Sequence, residues 1–444
     1  MTILGGAMKA IIHIGAPSPS AAVPNSQSVV YTSPWYDDTR TSTGKSVTAE
    51  TAMTSVPFYA GVRLISETVG RLPQILYRRE DGDNRARARD KKLYGLLHDD
   101  WNPEMSARTG KSTLTGHIVT RGNGYARKVR DDLGRVAELW PLRPDRMSVL
   151  RDRDTGAKFY RYRIESLGDE VDFAADDILH IPGFGFDGYV GYSIVSLFRE
   201  SLALGLSAQE FGAKFFKSGA QPAGILTHPA AWDQTRIDKF AAAFQRNHSG
   251  PTGAQRIAIV EEGVSWESVG MSLDDAQFLD TRKFQRGETA TMLNIPPHML
   301  QDVERSTSWG TGIEEQTLGF AVFSMGSWND LWDTEVNRQL VRPAYGSSHY
   351  VETLIDALLA GRSLDRWKVY QMARHLGVVN GDWIAKKESL PVPIDGSGEA
   401  YWRPANLEIA TDPDEQEAIE QAEAAADAAT ARLAAVPDLA QQTG

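Results

Sequence analysis

A proline pair breaking a helical pattern constrains this chain more than any other feature. The spacing predicts a helix from about Asp274 to Leu293, and Asn294-Ile295-Pro296-Pro297 ends it. Proline has no amide to donate and pushes its predecessor out of the helical region. A small polar stretch follows, Gln301 to Gly310, with Trp309 as its one aromatic residue. Thr311 and Glu314 then stand at capping-box spacing. Phe320, Phe323, Trp328, Leu331, Trp332, Val336 and Leu340 make an apolar stripe that predicts a second helix to Arg342, stopped by Pro343. At 1.5 Å per residue it would span about 45 Å. Glu314 and Glu315 lie in its first turn and Arg338 and Arg342 near its last, as the helix dipole favours. The pattern is that of a strut bearing a presented loop, with nothing suited to chemistry.

A chain of 444 residues exceeds one comfortable core, so two to four subdomains are expected. Hydrophobic content of 41% and charged content of 24% suit a folded soluble protein. No apolar run approaches the roughly 20 residues that span a bilayer, and Ile3 to Ile14 lacks the basic flank of a secretory signal. The absence of cysteine excludes disulfides, thiolate catalysis and thiolate metal sites. The net charge is −11, and most of it lies between Thr411 and Gly444, where eight acidic residues face only Arg432. The body is therefore mildly acidic. It lacks the strongly basic balance of a protein that grips DNA by its phosphates.

Residues 1–50, rich in Ser, Thr, Pro and Ala, are expected to be a disordered or extended arm. Helical spacing from Thr51 to Gly70 leads to a strand at Gln74–Tyr77, and the charged run Arg79 to Lys92 is expected to be a solvated loop. Helices at Leu93–Leu97 and Ser112–Thr120 precede short alternating runs at Tyr125–Val129, Val136–Trp140, Arg146–Leu150, Phe159–Ile164 and Ile178–Ile181. These predict an antiparallel α+β unit. A long helix is predicted over Ser193–Gly219, then a compact insert with strands at Ala223–Thr227, Arg256–Val260 and Ser265–Val269 and a helix at Asp233–Asn247. The insert thus lies between two helices that must return to one body. Past Pro343, helices are predicted at Val351–Leu359, Leu364–Leu376 and Asp382–Lys387. The Ala/Glu-rich stretch from Glu415 is expected to be a frayed or partner-dependent helix in an acidic, disordered tail.

Several motifs imitate chemistry. Gly44-Lys45-Ser46 and Gly110-Lys111-Ser112 match the end of a phosphate-binding loop, but Thr39 and Met105 stand where its first glycine belongs. Gly183-Phe184-Gly185-Phe186-Asp187-Gly188 is a formal dinucleotide-loop match between a strand and a helix. Pro182 and the two phenylalanines interrupt the turn, and Tyr189–Tyr192 delay the helix start. A nucleotide-dependent enzyme using Gly183, Gly185 and Gly188 is the alternative reading. The nine histidines show no metal-ligand spacing, so His180 and His298 read as structural residues.

The order of Val62-Arg63-Leu64-Ile65-Ser66-Glu67-Thr68-Val69, Arg71-Leu72-Pro73, Gly122-Asn123-Gly124-Tyr125 and Leu139-Trp140-Pro141-Leu142-Arg143-Pro144-Asp145-Arg146 resembles the portal proteins of tailed double-stranded DNA bacteriophages. Ile178-Leu179-His180-Ile181 before Gly191-Tyr192-Ser193, Phe215-Phe216-Lys217-Ser218-Gly219-Ala220, and Asn294-Ile295-Pro296-Pro297-His298-Met299-Leu300 continue the match, which covers about residues 51–404.

The resemblance implies an α+β portal fold assembled as a ring, usually of twelve subunits. By position, 51–192 would be the wing, 193–219 and 273–294 the stem helices, and 220–272 the clip. Residues 295–311 would be the tunnel-loop region, 312–342 the long wing helix, 343–410 the crown and 411–444 the acidic tail. Val303, Glu304, Arg305, Ser306, Thr307, Ser308 and Trp309 would face DNA in the channel, with Arg282, Lys283 and Arg286 as stem candidates. The implied function is that of a head-tail connector at one capsid vertex, assembled in the host cytoplasm, through which DNA is packaged, retained and ejected. Implied partners are double-stranded DNA in transit, the large terminase subunit, the major capsid protein and a head-tail adaptor. No membrane, metal, cofactor or catalytic residue is implied, and the purified chain is expected not to hydrolyse ATP.

Overall fold

The computed structural model describes residues 29–30, 39–80, 84–164, 169–185, 187–217, 224–227, 232–248, 265–268, 278–300, 318–355, 363–388, 390–392 and 396–401. The chain divides into two compact units, Met1–Leu358 and Leu359–Gly444.

In the first unit, strand β1 (Val29–Val30) lies in the stretch expected to be a disordered or extended arm, and helix α1 (Ala49–Ala52) begins at its end. Order extends into this arm because Val30 pairs with Leu150, Thr48 closes a capping box on Thr51, and Val47 and Ala52 are buried. Helix α2 (Val56–Arg71) buries Phe58, Val62, Ile65 and Val69 along one face, and the extended Leu72 ends it before Pro73. Strands β2 (Gln74–Arg79) and β3 (Arg85–Arg87) are joined antiparallel. Part of the charged run is therefore an exposed edge strand rather than a loop. Helix α3 (Lys92–His98), strands β4 (Asp100–Asn102) and β5 (Met105–Ser106), and helix α4 (Ala107–Arg121) follow, with Ser106 capping the Thr109 amide.

Six strands come next: β6 (Asn123–Arg130), β7 (Val136–Leu142), β8 (Met147–Arg151), β9 (Lys158–Arg163), β10 (Glu170–Ala174) and β11 (Ile178–Pro182). They form two antiparallel sheets, β11-β6-β7 and β1-β8-β9-β10. Gly122, at φ +78, makes the α4–β6 turn; a Cβ there would lie 2.4 Å from the Gly191 carbonyl oxygen, so only glycine fits.

The predicted 193–219 helix is interrupted at Phe198, giving α5 (Ile194–Leu197, capped by Ser193) and α6 (Arg199–Lys217). Strand β12 (Gly224–Thr227), helix α7 (Gln234–His248) and strand β13 (Ser265–Ser268) follow, β12 and β13 pairing antiparallel. The predicted 256–260 strand lies outside the described residues. Helix α8 is Phe278–Met292. A long helix then runs over 318–345, with an α-helical centre, α9 (Gly326–Val336), between wider π turns at Phe320–Met325 and Asn337–Val341. Pro343 does not stop it. The π turn before Pro343 and a last turn, Arg342–Tyr345, carry the helix to Gly346 at φ +63.

Residues 349–353, partly predicted helical, are strand β14 (His349–Thr353), which pairs with β2. The first unit therefore extends past residue 343. The second unit contains helices α10 (Ser363–His375) and α11 (Gly381–Lys387), tied by a two-toothed Arg366–Glu388 pair at 2.6 and 2.8 Å and a Tyr370 hydroxyl donating to Glu388 at 2.8 Å.

Candidate channel loop and its supports

Helices α6 and α8 run side by side and antiparallel. Ser201 donates to Glu288 (2.7 Å), and a Cβ on Gly205 would lie 2.8 Å from the Gln285 amide oxygen. Leu202, Ala203, Thr289 and Ala290 are buried, so one flank of the pair joins the body core. A second close approach anchors the base of α8, where a Cβ on Gly61 of α2 would lie 2.3 Å from Leu293. By connectivity the 218–277 insert hangs from one end of this pair and the proline stop sits at the other.

At that stop, Asn294 takes the left-handed conformation (φ +53), which asparagine tolerates better than most residues. The Ile295 amide closes the turn on the Ala290 carbonyl, and Pro297–Leu300 form a short 3-10 turn. The predicted loop residues Val303–Trp309, with the Thr311/Glu314 cap, lie outside the described residues. The flanks of that stretch are fixed to each other: Ser324 of the long helix donates to the Asn294 carbonyl at 2.6 Å, and Leu293, Ile295, Leu300, Phe320 and Met325 share the core. Of the stem candidates, Arg282 and Lys283 are exposed on α8 and Arg286 is half-buried one turn on from Arg282.

The long helix is a beam laid across two open sheet edges. Asp333 accepts from the Thr353 amide and hydroxyl, both at 2.7 Å, and from Gln74 at 2.9 Å. Asn337 pairs with the Val351 backbone in both directions (2.7 and 3.0 Å), closing the free side of β14. Gln339 does the same for β11, accepting from the His180 amide at 3.0 Å and donating to its carbonyl. Pro343 cannot donate to the Gln339 carbonyl four residues back, and the buried Lys128 ammonium donates to it instead at 3.2 Å. Burial lowers Lys128 to about 8. The sequence signal for these contacts was slight: three amide or acid side chains set into a largely apolar stripe.

The motifs that imitate chemistry are structural here. Gly110 is required because a Cβ would lie 2.1 Å from the Trp101 ring. Lys111 is buried, donates to the Leu72 carbonyl at 2.8 Å, and is lowered to about 8 by that burial. Lys45 pairs with Glu210. Around the 183–188 glycines, five backbone amides bond within the chain. Gly183 donates to the Gly122 carbonyl (2.7 Å), Tyr189 and Val190 to Asp187, Gly191 to Asn123 (2.9 Å), and Tyr192 to the Phe184 carbonyl (2.7 Å). His180 is buried, with Nε2 donating to Asn123 (3.0 Å) and Nδ1 accepting from Tyr160 (3.1 Å). Burial holds it well below its ordinary pKa, and Tyr160 well above.

A groove of about 970 Å³ runs between α2 and α4, lined by Ser66, His117, Arg121 and Asp145 among others. Burial, reinforced by Arg121, pushes His117 down to about 4. An imidazole that titrates near 4 in the fold and near 6.5 in the open chain takes its proton first in the unfolded state as pH falls. Stability should therefore drop between about pH 6.5 and 4, by up to about 3 kcal/mol for this one group. His117→Gln should flatten that part of the acid limb in urea titrations from pH 7 to 4.

Residues 57–388 match the family model "Phage portal protein". The chain belongs to the phage portal protein family. It is 31% identical over 386 residues to the probable portal protein of Streptomyces phage phiC31, covering 84% of this chain and 82% of that one. It is 30% identical over 354 residues to the portal protein of Enterobacteria phage HK97, covering 79% and 82%. Among solved structures, the neck of a native gene transfer agent particle, computed with C12 symmetry, superposes with a TM-score of 0.55 at 21% identity, over 78% of this chain and 92% of that one. The fold is thus the portal fold, α+β. The general function of the family is DNA packaging through the portal vertex of the particle, and that is the function of this chain. Among the described residues no helix is long and apolar enough to cross a membrane.

Proposed function

We propose that twelve copies of this portal close into a ring at one capsid vertex, and that double-stranded DNA moves along its axis during packaging, retention and ejection. The observation that carries this is the antiparallel α6–α8 pair, with the insert at one end and the fixed base of the 301–317 stretch at the other. In the ring, α6 and α8 are the stem, 220–272 the clip, and 51–192 with the long helix the wing. Val303–Trp309 come nearest the DNA, and Arg282, Lys283 and Arg286 belong to the wall. The C12 symmetry of the related neck supports the subunit number. Exposed apolar side chains on the same elements, Leu204, Phe211, Phe284 and Phe323, supply surface that neighbouring copies would bury.

A net charge of −11 per copy suits a conduit that lets phosphates slide rather than stick. Without a phosphate loop of its own, the portal relies on the large terminase subunit for energy. The terminase docks on the clip, while the major capsid protein and a head-tail adaptor hold the ring in the virion. The ring assembles in the host cytoplasm and has no catalytic residues.

The test is to block the loop. Ser306→Cys would give this cysteine-free chain a single thiol, and streptavidin bound to a biotin-maleimide there should stop DNA packaging while leaving the ring intact. Unimpeded packaging through fully labelled rings would remove the loop from the channel.

A further inference from the structure

Helix α10 carries an apolar stripe that the described part of its own unit leaves open. Val369, Met372 and Leu376, at spacings of three and four, are 62, 66 and 63% exposed, and Val378 extends the row past Gly377 at 68%. The opposite face, through Tyr370, packs its ring edgewise on Trp383 of α11 (6.0 Å). Such a row on a short helix is a face that a partner helix would cover. Lys368 and His375, each just before a stripe residue, flank it with basic groups.

The chain leaves the described fold beside this helix. A Cβ on Gly381 would lie 3.3 Å from Gly398 and 3.6 Å from the Arg374 guanidinium, so the 3-10 turn at Ser397–Glu399 and the last turn of α10 share a neighbour. Residues 402–444 follow. In their sequence Ile419, Ala422, Ala426, Ala429, Leu433 and Val436 recur at alternating spacings of three and four, the period of a helix–helix seam. Asp412-Pro413-Asp414-Glu415 is a helix-start pattern, Pro437 a stop, and Glu420, Glu423 and Asp427 lie between the seam positions.

We propose that the segment 413–436 docks as a helix on α10 of its own chain, seating Ile419, Ala422 and Ala426 against Leu376, Met372 and Val369. Bulky side chains on one helix meet alanines on the other, which lets the two backbones approach closely. The acidic flank of the segment faces Lys368 and His375. A second α10 in the same place would set those basic rows against each other, so the tail is the better occupant. The linker 402–412 reaches up to roughly 36 Å at about 3.3 Å per residue, ample to bring the segment back. An Ala/Glu helix of this length is marginal alone in water, and the open stripe supplies what it lacks.

With no native cysteine, Met372→Cys with Ala422→Cys makes the sole thiol pair in the full chain. Under mild oxidation it should form an intrachain disulfide, seen as a faster monomer band on denaturing, non-reducing gels, at least about tenfold faster than Met372→Cys with the off-seam Ala424→Cys. Equal rates for the two pairs, or linkage only between chains, would overturn the proposal. Independently, Ile419→Asp with Ala426→Asp in the full chain should speed hydrogen exchange of 363–376 about tenfold. Unchanged protection there would also overturn it.

Discussion

Replacing Trp332 by alanine should destabilise the portal monomer by about 3–5 kcal/mol, read as a drop in the urea midpoint. Trp332 is 1% exposed, lies 6.3 Å from the Trp101 ring, and donates its indole N–H to the Thr115 hydroxyl at 3.1 Å. Removing it opens a cavity where α9, α4 and the β4 segment meet. The neighbourhood cannot collapse freely, because Gly110 already presses on Trp101 and Lys111 lies 6.0 Å from the Trp332 ring. Trp332→Phe should recover most of the loss. The Thr115 hydroxyl keeps its bond to the Lys111 carbonyl (2.7 Å), so the missing indole donor leaves no donor stranded.

Asp333→Ala should cost a similar amount, about 3–5 kcal/mol, by a different route. The Thr353 amide, its hydroxyl and the Gln74 amide all lose their acceptor, and each stranded polar group costs roughly 1–3 kcal/mol less whatever water regains. Burial raises the Asp333 carboxyl above its ordinary value, its hydrogen bonds opposing this. Asp333→Asn should be intermediate, since one oxygen still accepts while the amide nitrogen meets the Thr353 N–H donor to donor. The distinguishing readout is local: hydrogen exchange should rise first along β14 and β2 in Asp333→Ala, and around α4 in Trp332→Ala.

These two neighbours also show what the sequence could and could not reveal. The stripe that places Trp332, Val336 and Leu340 inward is local and periodic, so it could be read directly. Asp333, Asn337 and Gln339 stand beside it, and their purpose depends on which sheet edges the fold brings to them. Residues 349–353 fit both a strand and a helix turn; only pairing with β2, far away in the chain, decides between them. Pro343 was a sound stop signal taken alone. The π turn before it and the Lys128 ammonium on the Gln339 carbonyl let the helix continue, and neither can be inferred from neighbouring residues. At the candidate site the proline stop and the helix pair were legible because both are punctuation and period. The burial of Lys111 was not, since Gly110-Lys111-Ser112 looks the same whether it cradles a phosphate or packs against tryptophans.

Single-particle imaging of the purified, assembled full chain tests the central claim most directly. The account predicts a closed ring with an open axis, its wall formed by α6 and α8 of successive copies and residues 301–311 nearest the centre. Solid, monomeric particles under every assembly condition, or a ring with those two helices on its outer rim, would contradict it.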